Sequence, residues 1–451
     1  MTRSIHTLVL LCGTVVLAGC QRTASAADAS PVTGADATPL HLAVKQVNDV
    51  IVYDIMSPPQ ASRVYAYASV AAYEAMRQGD TTYRTLAGQL NGLTPVPAAP
   101  AGTSLQLAGV HAYMVVGRAL TFSQARMDSL RAAMDARFRE SLTETVYARS
   151  VAYGDTVATH ILAWAGTDRF KQSRGMPKFS VLQTPGRWIP TPPAYMDGVE
   201  PNWGALRPFV MDTSNQFRPD PPYQFDSVKT SPYFRDALEV HLVTTTMTQE
   251  QRAIAAFWDC NPFVMHVQGH TMFATKKMSP GAHWMGIAGL ASRKAKADIL
   301  RSAEAYTFTS IALADGFLSV WAEKYRSSMI RPETVINTYI DENWQPLLQT
   351  PPFPEYTSGH SGISTSASVV LTSLFGEDFA FADSTEVEYG LPVRTFTSFT
   401  AAAKEAAISR LYGGIHFRQA VEQGQVQGRK VGALVLERIR TRRSAPVVSS
   451  R

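Results

Sequence analysis

The sequence predicts an all-α protein, and three observations support this fold class. Apolar residues recur at three- and four-residue spacing over long stretches of the chain. Capping residues and prolines stand where such stretches begin. No apolar–polar alternation of the kind that marks a strand is comparably regular. The helical segments predicted in the first third of the chain are 57–76, 104–121, 123–141 and 143–166.

The composition permits a large hydrophobic core. The chain has 451 residues, of which 45% are hydrophobic, enough for a single large domain or for two fused halves. Its formal charge of +5 is small for this length, and Lys and Arg are dispersed along the sequence. Because nucleic-acid binding usually depends on a concentrated basic patch, we expect no nucleic-acid partner.

The N-terminus has the pattern of a bacterial targeting segment. Arg3 precedes an apolar run, Leu8–Val16, that is too short to span a bilayer. The following Leu17-Ala18-Gly19-Cys20 resembles a lipobox. We therefore expect a lipoprotein signal peptide over residues 1–19 and lipidation of Cys20. An ordinary secretory signal with an incidental cysteine is the alternative.

The residues after the cleavage site extend this prediction. Gln21, in place of Asp, is typical of sorting to the outer membrane, so we expect an anchored protein that faces the periplasm or the exterior. The Ala-, Ser- and Pro-rich residues 20–40 are predicted to be a flexible tether. Cys12 would leave with the signal peptide and Cys20 would carry lipid. Cys260 then stands alone, and no intramolecular disulfide is expected.

Residues 167–230 interrupt the helical pattern with scattered Pro, Gly, Trp and Tyr. The densest stretches are 186–193 and 201–204. A loop this long inside a domain is usually a lid, a wall of a binding site or an ordered excursion over the surface. The alternative, a disordered linker, is disfavoured by the aromatic residues.

Three histidines follow a predicted helix, Thr248–Asp259. His266 and His270 are four residues apart, a spacing that would allow a zinc-binding pair on a helix. No third ligand stands at a diagnostic spacing, so a zinc site is not the favoured interpretation. We instead expect His270 or His283 to line the entrance of a substrate pocket.

Three separated clusters of basic and acid–base residues lie in the last third of the chain. A predicted helix over 296–326 leads into the first cluster, which contains Lys324 and Arg331. Ser358 looks like the N-cap of a helix that runs through 363–375 and stops at Gly376. The second cluster is Thr357-Ser358-Gly359-His360, and the third runs from Ser409-Arg410 to His416 after Gly413-Gly414. Further on, Gly424, Gly428 and Gly432 form a strip that lets another helix approach closely.

Together, the clusters predict a pocket for a tetrahedral oxyanion. Lys324, Arg331 and Arg410 supply positive charge, and the two guanidinium groups can bind oxygens in bidentate fashion. Ser358, Gly359 and the start of a helix add further donors. His360 would act as a general acid or base. His416 would bond to the central atom, as a nucleophile to phosphorus or as a ligand to vanadium.

These clusters resemble the K-x6-R-P, P-S-G-H and S-R-x5-H-x3-D signatures shared by type 2 phosphatidic-acid phosphatases and vanadium-dependent haloperoxidases. Two positions depart from the pattern: Thr357 replaces Pro, and Ala420 replaces the acidic residue that follows the histidine. Glu422 or Asp315 could take the place of that acid. The segment 57–76 and the Trp- and Pro-rich excursion are similar to those of bacterial haloperoxidases.

The resemblance implies two four-helix bundles in one domain over residues 41–440. Its active-site half spans about 296–440, and residues 441–451 form a disordered tail. Trp321 lies three residues before Lys324. It would join the anion-binding residues through its indole N–H, although core packing is nearly as good an interpretation. Phe353 would lie on the halide side, at a position where chlorinating enzymes carry a similar residue.

The implied reaction is the oxidation of halide by hydrogen peroxide at a vanadate bound to His416, with phosphate able to occupy the same site. The residues that would hold the anion are Trp321, Lys324, Arg331, Ser358, Gly359, Arg410 and His416. His360 would accept a proton from peroxide, and Lys324 would polarise the peroxide. Iodide is the favoured halide, and bromide is the second. Two alternatives remain open: a phosphatase with His416 as nucleophile, and a lipoprotein that binds oxyanions without turnover.

Overall fold

Helices form most of the molecule, as predicted. The computed structural model describes residues 34–443, so the predicted signal peptide and the predicted lipidation site, Cys20, lie outside the described residues. None of the helices within 34–443 combines the length and the hydropathy of a membrane span. The helices of the first half are α1 Thr38–Tyr53, α2 Pro58–Met76, α3 Leu105–Leu120, α4 Gln124–Ser141, α5 Glu144–Ala165 and α6 Phe170–Arg174.

The second half contains the remaining helices and two short antiparallel hairpins. The helices are α7 Pro232–Thr246, α8 Gln249–Phe257, α9 Pro280–Lys294, α10 Ile299–Ser327, α11 Pro332–Tyr339, α12 Gly359–Phe375, α13 Phe399–Tyr412 and α14 Arg418–Arg438. The hairpins pair β1 Met265–Gln268 with β2 Thr271–Ala274, and β3 Phe381–Asp383 with β4 Arg394–Phe396.

The helices pack in two groups that share one hydrophobic core. Helices α2, α3 and α5 pack on one another in the first group, and α10, α12, α13 and α14 do so in the second. Helix α10 joins the groups because it contacts both α2 and α12. It begins at the N-cap Asp298, whose carboxylate accepts the Arg301 N–H at 2.8 Å. This long, almost wholly buried helix carries Lys324 into the second group near its C-terminal end.

The glycine strip of α14 packs against α12, as predicted. A Cβ atom on Gly424 would lie 2.8 Å from the Ser358 carbonyl oxygen, and one on Gly428 would overlap the carbonyl oxygen of Gly362. Only residues without a side chain allow the two helices to lie this close. This contact fixes the start of α12, where the second predicted cluster lies.

The irregular excursion after α5 is ordered and packs on α10. Trp188 and Trp203 are both fully buried. The backbone N–H of Trp188 donates to the Ser328 carbonyl oxygen at 2.8 Å. The backbone N–H of Val199 donates to the carbonyl oxygen of Pro352 at 3.0 Å. The excursion therefore forms a wall beside the end of α10, and the disordered-linker alternative is wrong.

Three local predictions differ from the structure. The predicted tether, 20–40, ends too late, because α1 begins at Thr38 and packs its apolar face on the core. The predicted tail begins too early, since the Arg84 N–H donates to the Thr441 carbonyl oxygen at 2.8 Å. The residues from His266 to His270 form a hairpin turned at Gly269, not a helix. A backbone φ of +59° at Gly269 suits a tight turn and excludes a helical His266–His270 pair.

Candidate active site

Lys324 is buried on α10 and braces the loop that precedes α12. Its ammonium donates to the carbonyl oxygens of Pro354, Glu355 and Thr357 at 3.0, 2.9 and 2.6 Å. These acceptors use the three hydrogens that a lysine carries. Burial, and then the charge of Arg331, lowers the pKa of Lys324 well below its usual value. Lys324 would therefore act on a bound anion through its positive charge, because direct donation would require it to release one carbonyl oxygen.

Arg331 and Arg410 are buried guanidinium groups that reach the same place from two directions. Arg331 stands at the N-cap of α11, where its Nε donates to the Phe353 carbonyl oxygen at 2.9 Å and its Nη1 to that of Ile415 at 2.8 Å. Arg410, near the end of α13, donates from Nη1 to the Trp258 carbonyl oxygen at 2.6 Å. Arg331 Nη2 and Arg410 Nε are buried and have no hydrogen-bond partner within residues 34–443.

The start of α12 supplies the third side of the site. Ser358 is the N-cap, as predicted, and its hydroxyl oxygen accepts the Ser361 N–H at 3.3 Å. The Ser358 N–H donates to the carbonyl oxygen of Ala420 at 3.1 Å, so Ala420 positions the cap through its backbone. Gly359 and His360 form the first turn, where backbone N–H groups are left without intrahelical acceptors.

His360 is a half-buried imidazole whose Nε2 atom is shielded from solvent. Burial, and then the charge of Arg410, lowers the pKa of His360 well below 6.5. Its Nε2 atom is buried without a hydrogen-bond partner among the described residues. A neutral imidazole nitrogen facing a polar cavity is suited to accept a proton there.

His416 lies in the turn between α13 and α14 and is held by a carboxylate from a distant loop. The Nδ1 atom of His416 lies 2.8 Å from Oε1 of Glu355, which also accepts the Phe417 N–H at 3.0 Å. Because the carboxylate accepts a proton from Nδ1, the lone pair of His416 is on Nε2. That Nε2 atom lies 3.2 Å from Arg331 Nη1, inside the group of cations. Glu355 thus fills the role of the acid that is absent at Ala420.

The predicted replacements for that acid are wrong. Asp315 accepts the backbone N–H groups of Phe209, Val210 and Met211 at 2.7 to 3.0 Å and serves the excursion. Glu422 is exposed and lies 3.9 Å from Arg418. Sequence reasoning missed Glu355, although a lone acid in the Pro-rich run 351–356 was a usable signal. An acid placed just before a cluster of buried cations is available to pair with a residue there.

The uncompensated positive charge of the site favours the binding of an anion. No ion pair within residues 34–443 involves Lys324, Arg331 or Arg410, and each of the three is at most 1% exposed. Burial lowers the pKa of Arg331 to about 10, and the neighbouring charge of Arg410 also acts in that direction. Unpaired buried cations are costly unless a counter-ion is bound. The free donors at Arg331 Nη2 and Arg410 Nε, together with the helix start, fit a tetrahedral oxyanion such as vanadate or phosphate.

The cavity beside this group has one polar and one apolar wall. The polar wall is formed by Gly359, His360, Arg410 and His416. The apolar wall includes Phe263, Phe317, Trp321 and Phe353, and the ring centroids of Trp321 and Phe353 are 4.9 Å apart. A small oxidisable ion could therefore meet the polar groups against an aromatic surface.

Three predicted pocket residues are placed differently by the structure. The indole N–H of Trp321 donates to the Val199 carbonyl oxygen at 3.2 Å, so its ring lines the cavity while its donor faces the excursion. His270 is exposed at the hairpin turn. His283 is fully buried, and its Nε2 lies 2.8 Å from Asp383 Oδ2. Neither histidine lines the cavity, because the hairpin carries His270 to the surface and α9 turns His283 into the core.

Comparison with known proteins agrees with this geometry. A family model described as the VCPO second helical-bundle domain matches residues 304–444. The crystal structure of a bacterial vanadium-dependent iodoperoxidase is 48% identical, with a TM-score of 0.86, over 90% of this chain and 97% of that one.

Two crystal structures of bacterial vanadium-dependent chloroperoxidase, in holo and apo form, share the fold. They are 17% and 18% identical with TM-scores of 0.67 and 0.65, and each alignment covers 85% of this chain and 93% or 94% of the other. No curated protein sequence matches the chain. The identity to the iodoperoxidase extends over nearly its whole length and includes the half that carries the oxyanion site. The chain therefore belongs to the bacterial vanadium-dependent haloperoxidases.

Proposed function

We propose that this haloperoxidase uses hydrogen peroxide to oxidise iodide to hypoiodous acid, with bromide as a second substrate and vanadate as its cofactor. The observation that carries the proposal is the convergence of unpaired donors, Arg331 Nη2 and Arg410 Nε, with His416 Nε2 in one buried place. The 48% identity to a bacterial vanadium-dependent iodoperoxidase supports iodide as the halide. The chloroperoxidases, at 17% and 18% identity, share the fold only.

The chain has residues with the donors and the ligand atom that vanadate needs. Arg331 Nη2, Arg410 Nε and the N–H groups at the start of α12 would bind its oxygens, and His416 Nε2 would be its protein ligand. When bound, vanadate supplies a Lewis-acidic centre that makes hydrogen peroxide reactive toward halide. Glu355 keeps Nδ1 of His416 protonated and so keeps the lone pair on Nε2.

The remaining residues manage charge and protons. His360 accepts a proton from hydrogen peroxide at Nε2, which has no competing partner within 34–443. Lys324 adds positive charge from behind the Pro354–Thr357 loop and holds that loop in place. The rings of Phe353 and Trp321 exclude water from the side where halide would approach.

A paired assay tests the proposal. The purified protein is treated with orthovanadate, and oxidation of iodide, bromide and chloride by hydrogen peroxide is measured beside hydrolysis of an aryl phosphate. We expect vanadate-dependent iodide oxidation, weaker bromide oxidation, and loss of both in His416→Ala. His266→Ala, which changes an exposed histidine of the hairpin, is the matched control and should keep full activity.

Two outcomes would contradict the assignment. Hydrolysis of the phosphate ester without vanadate, and its inhibition by vanadate, would identify a phosphatase with the same residues. Tight binding of vanadate with neither activity would identify an oxyanion-binding protein. Either result must be obtained on protein whose circular dichroism shows a folded helical chain.

For the location of the protein, the support is the lipobox-like sequence that ends at Cys20. We propose that the enzyme is anchored by lipid at Cys20 in the outer membrane. Metabolic labelling with a fatty acid tests this directly. The label should appear on the wild-type protein and be absent from Cys20→Ala, and equal labelling of both would refute the anchor.

A further inference from the structure

A second buried polar cluster lies behind the wall of the active-site cavity. Cys260 follows α8, His283 lies on α9, and Asp383 and Glu386 lie at and after the end of β3. All four are between 0 and 5% exposed. The cluster is separate from the oxyanion residues, although Cys260 also lines the cavity.

The three donor atoms of this cluster form a triangle with the dimensions of a metal site. Cys260 Sγ lies 3.3 Å from His283 Nδ1, His283 Nδ1 lies 3.2 Å from Glu386 Oε1, and Cys260 Sγ lies 3.5 Å from Glu386 Oε1. Tetrahedral zinc, with its usual bonds to sulfur, nitrogen and oxygen, places such ligands roughly 3.3–3.6 Å apart. The three separations are therefore those that binding to one common ion would require.

The surroundings of His283 have a feature common to metal-binding histidines. Its Nε2 atom lies 2.8 Å from Asp383 Oδ2, which leaves Nδ1 to face Cys260 and Glu386. A carboxylate on the far nitrogen orients a metal-binding imidazole and strengthens its basicity. The other oxygen of Asp383 is fixed by the N–H and hydroxyl of Thr385, at 3.0 and 2.6 Å.

We propose that Cys260, His283 and Glu386 bind a zinc ion, with Asp383 as the positioning residue for His283. A thiolate, an imidazole and a carboxylate are the ligand types of zinc, whereas Mg²⁺ and Ca²⁺ prefer oxygen ligands alone. Three protein ligands leave a fourth position for water or for the second oxygen of Glu386. The proposal is independent of halide oxidation.

The position of the cluster gives the ion a structural task. It would join the segment after α8, the start of α9 and the segment after β3. The ring of Trp258 stacks on His283, with centroids 4.5 Å apart, and the Trp258 carbonyl oxygen is the acceptor for Arg410 Nη1. An ion at His283 would therefore fix Trp258 and, through it, the orientation of Arg410.

The test measures metal directly on vanadate-free, full-length protein. Zinc is determined by mass spectrometry after expression in zinc-supplemented medium, and we expect about one ion per chain. Replacement with Co²⁺ should give thiolate-to-cobalt absorption and the visible bands of a tetrahedral site. Cys260→Ser should lose both signals, and Asp383→Asn should weaken zinc binding by about 10–100-fold. His266→Ala is the control and should bind normally.

Two results would overturn the proposal, and the first needs no variant. Folded wild-type protein that takes up no zinc and gives no thiolate-to-cobalt absorption would show that the cluster is a hydrogen-bonded network only. Zinc binding that is unchanged in Cys260→Ser would place the ion elsewhere and equally refute the site. Chelation should also lower the melting temperature of the wild type and leave that of Cys260→Ser unchanged.

Discussion

Buried arginines of the two helix groups differ in whether they have an anionic partner. In the first helix group, Arg63 donates from Nε to Asp168 Oδ2 at 2.6 Å and from Nη2 to the Ala165 carbonyl oxygen at 3.2 Å. Tyr67 also donates to that carboxylate, at 3.0 Å. In the second group, Arg331 and Arg410 are more deeply buried, yet neither forms an ion pair with any described residue.

The difference separates a structural charge from a functional one. A paired guanidinium such as Arg63 satisfies a carboxylate and links α2 to the end of α5. An unpaired one lowers the stability of the chain until an anion binds, because like charges repel and burial removes hydration. Buried cations that lack a partner therefore mark the site more sharply than burial or charge alone.

Removal of the paired arginine should have the largest effect on stability. In Arg63→Met, Asp168 would keep only its neutral donors, so we expect a loss of about 3–5 kcal/mol in the free energy of unfolding. The affinity for vanadate should not change, since Arg63 is on the other helix group. Urea denaturation and vanadate titration check the two halves of this prediction. Weaker vanadate binding by folded Arg63→Met would contradict the distinction between a structural and a functional arginine.

Removal of an unpaired arginine should give the converse result. In Arg410→Met, the loss of a preorganised donor should reduce iodide oxidation by roughly 10²–10³-fold. Stability without vanadate should change by less than about 1 kcal/mol, because relief of an unpaired buried charge offsets one lost hydrogen bond. Steady-state kinetics and denaturation of the vanadate-free protein measure both quantities. A large loss of stability would mean that Arg410 is structural after all.

The elements that carry the residues predicted to bind an oxyanion could be placed from the sequence because each cluster is local. Fixed spacings place Lys324 on α10, Ser358 at the cap of α12 and His416 after the glycines that end α13, and all of these placements are observed. Helix type was predicted for the same reason, since capping and periodicity are also short-range signals. The predicted segment boundaries were wrong by a few residues. The predicted tether, for example, ends at residue 40, whereas α1 begins at Thr38.

Partners that come from irregular segments could not be predicted. Glu355 is 61 residues away from His416, and nothing local shows that a proline-rich loop brings them to 2.8 Å. The carbonyl oxygen of Val199 accepts the indole N–H of Trp321, and Val199 lies in an excursion whose sequence has no periodicity. The hairpin at Gly269 could have been predicted, because a glycine between two short β-prone runs indicates a turn.

Glu355 tests the comparison between paired and unpaired arginines further. It is a carboxylate that contacts His416, which in turn contacts the unpaired Arg331. In Glu355→Ala, His416 loses the acceptor that fixes its tautomer, so vanadate affinity should fall by about 10–100-fold. Glu355→Gln should fall less, since the amide oxygen can still accept the Nδ1 proton. Reactivation of vanadate-free enzyme by increasing vanadate measures both affinities. Equal losses in the two variants would show that charge, and not tautomer selection, is what Glu355 contributes.

The last expected effect is a pH dependence of stability that belongs to Glu355 alone. Burial raises the pKa of this carboxyl to about 7, while Arg331 and Lys324 act in the opposite direction. A carboxyl whose pKa is higher in the folded than in the unfolded chain binds its proton more tightly when folded. Its contribution is therefore complete below the unfolded pKa, near 4.5, and is lost as pH rises through about 7.

Glu355→Gln cannot titrate and provides the reference for this effect. The free energy of unfolding of the vanadate-free wild type, minus that of Glu355→Gln, should decrease from about pH 5 to about pH 8 and then level off. Urea denaturation of both proteins across this range measures the difference and cancels the titration of all other groups. Parallel curves would show that Glu355 stays ionised beside the cations. Glu355 would then be a permanent counter-charge for Arg331 and Lys324. These cations would differ from the paired Arg63 only in how closely their carboxylate lies.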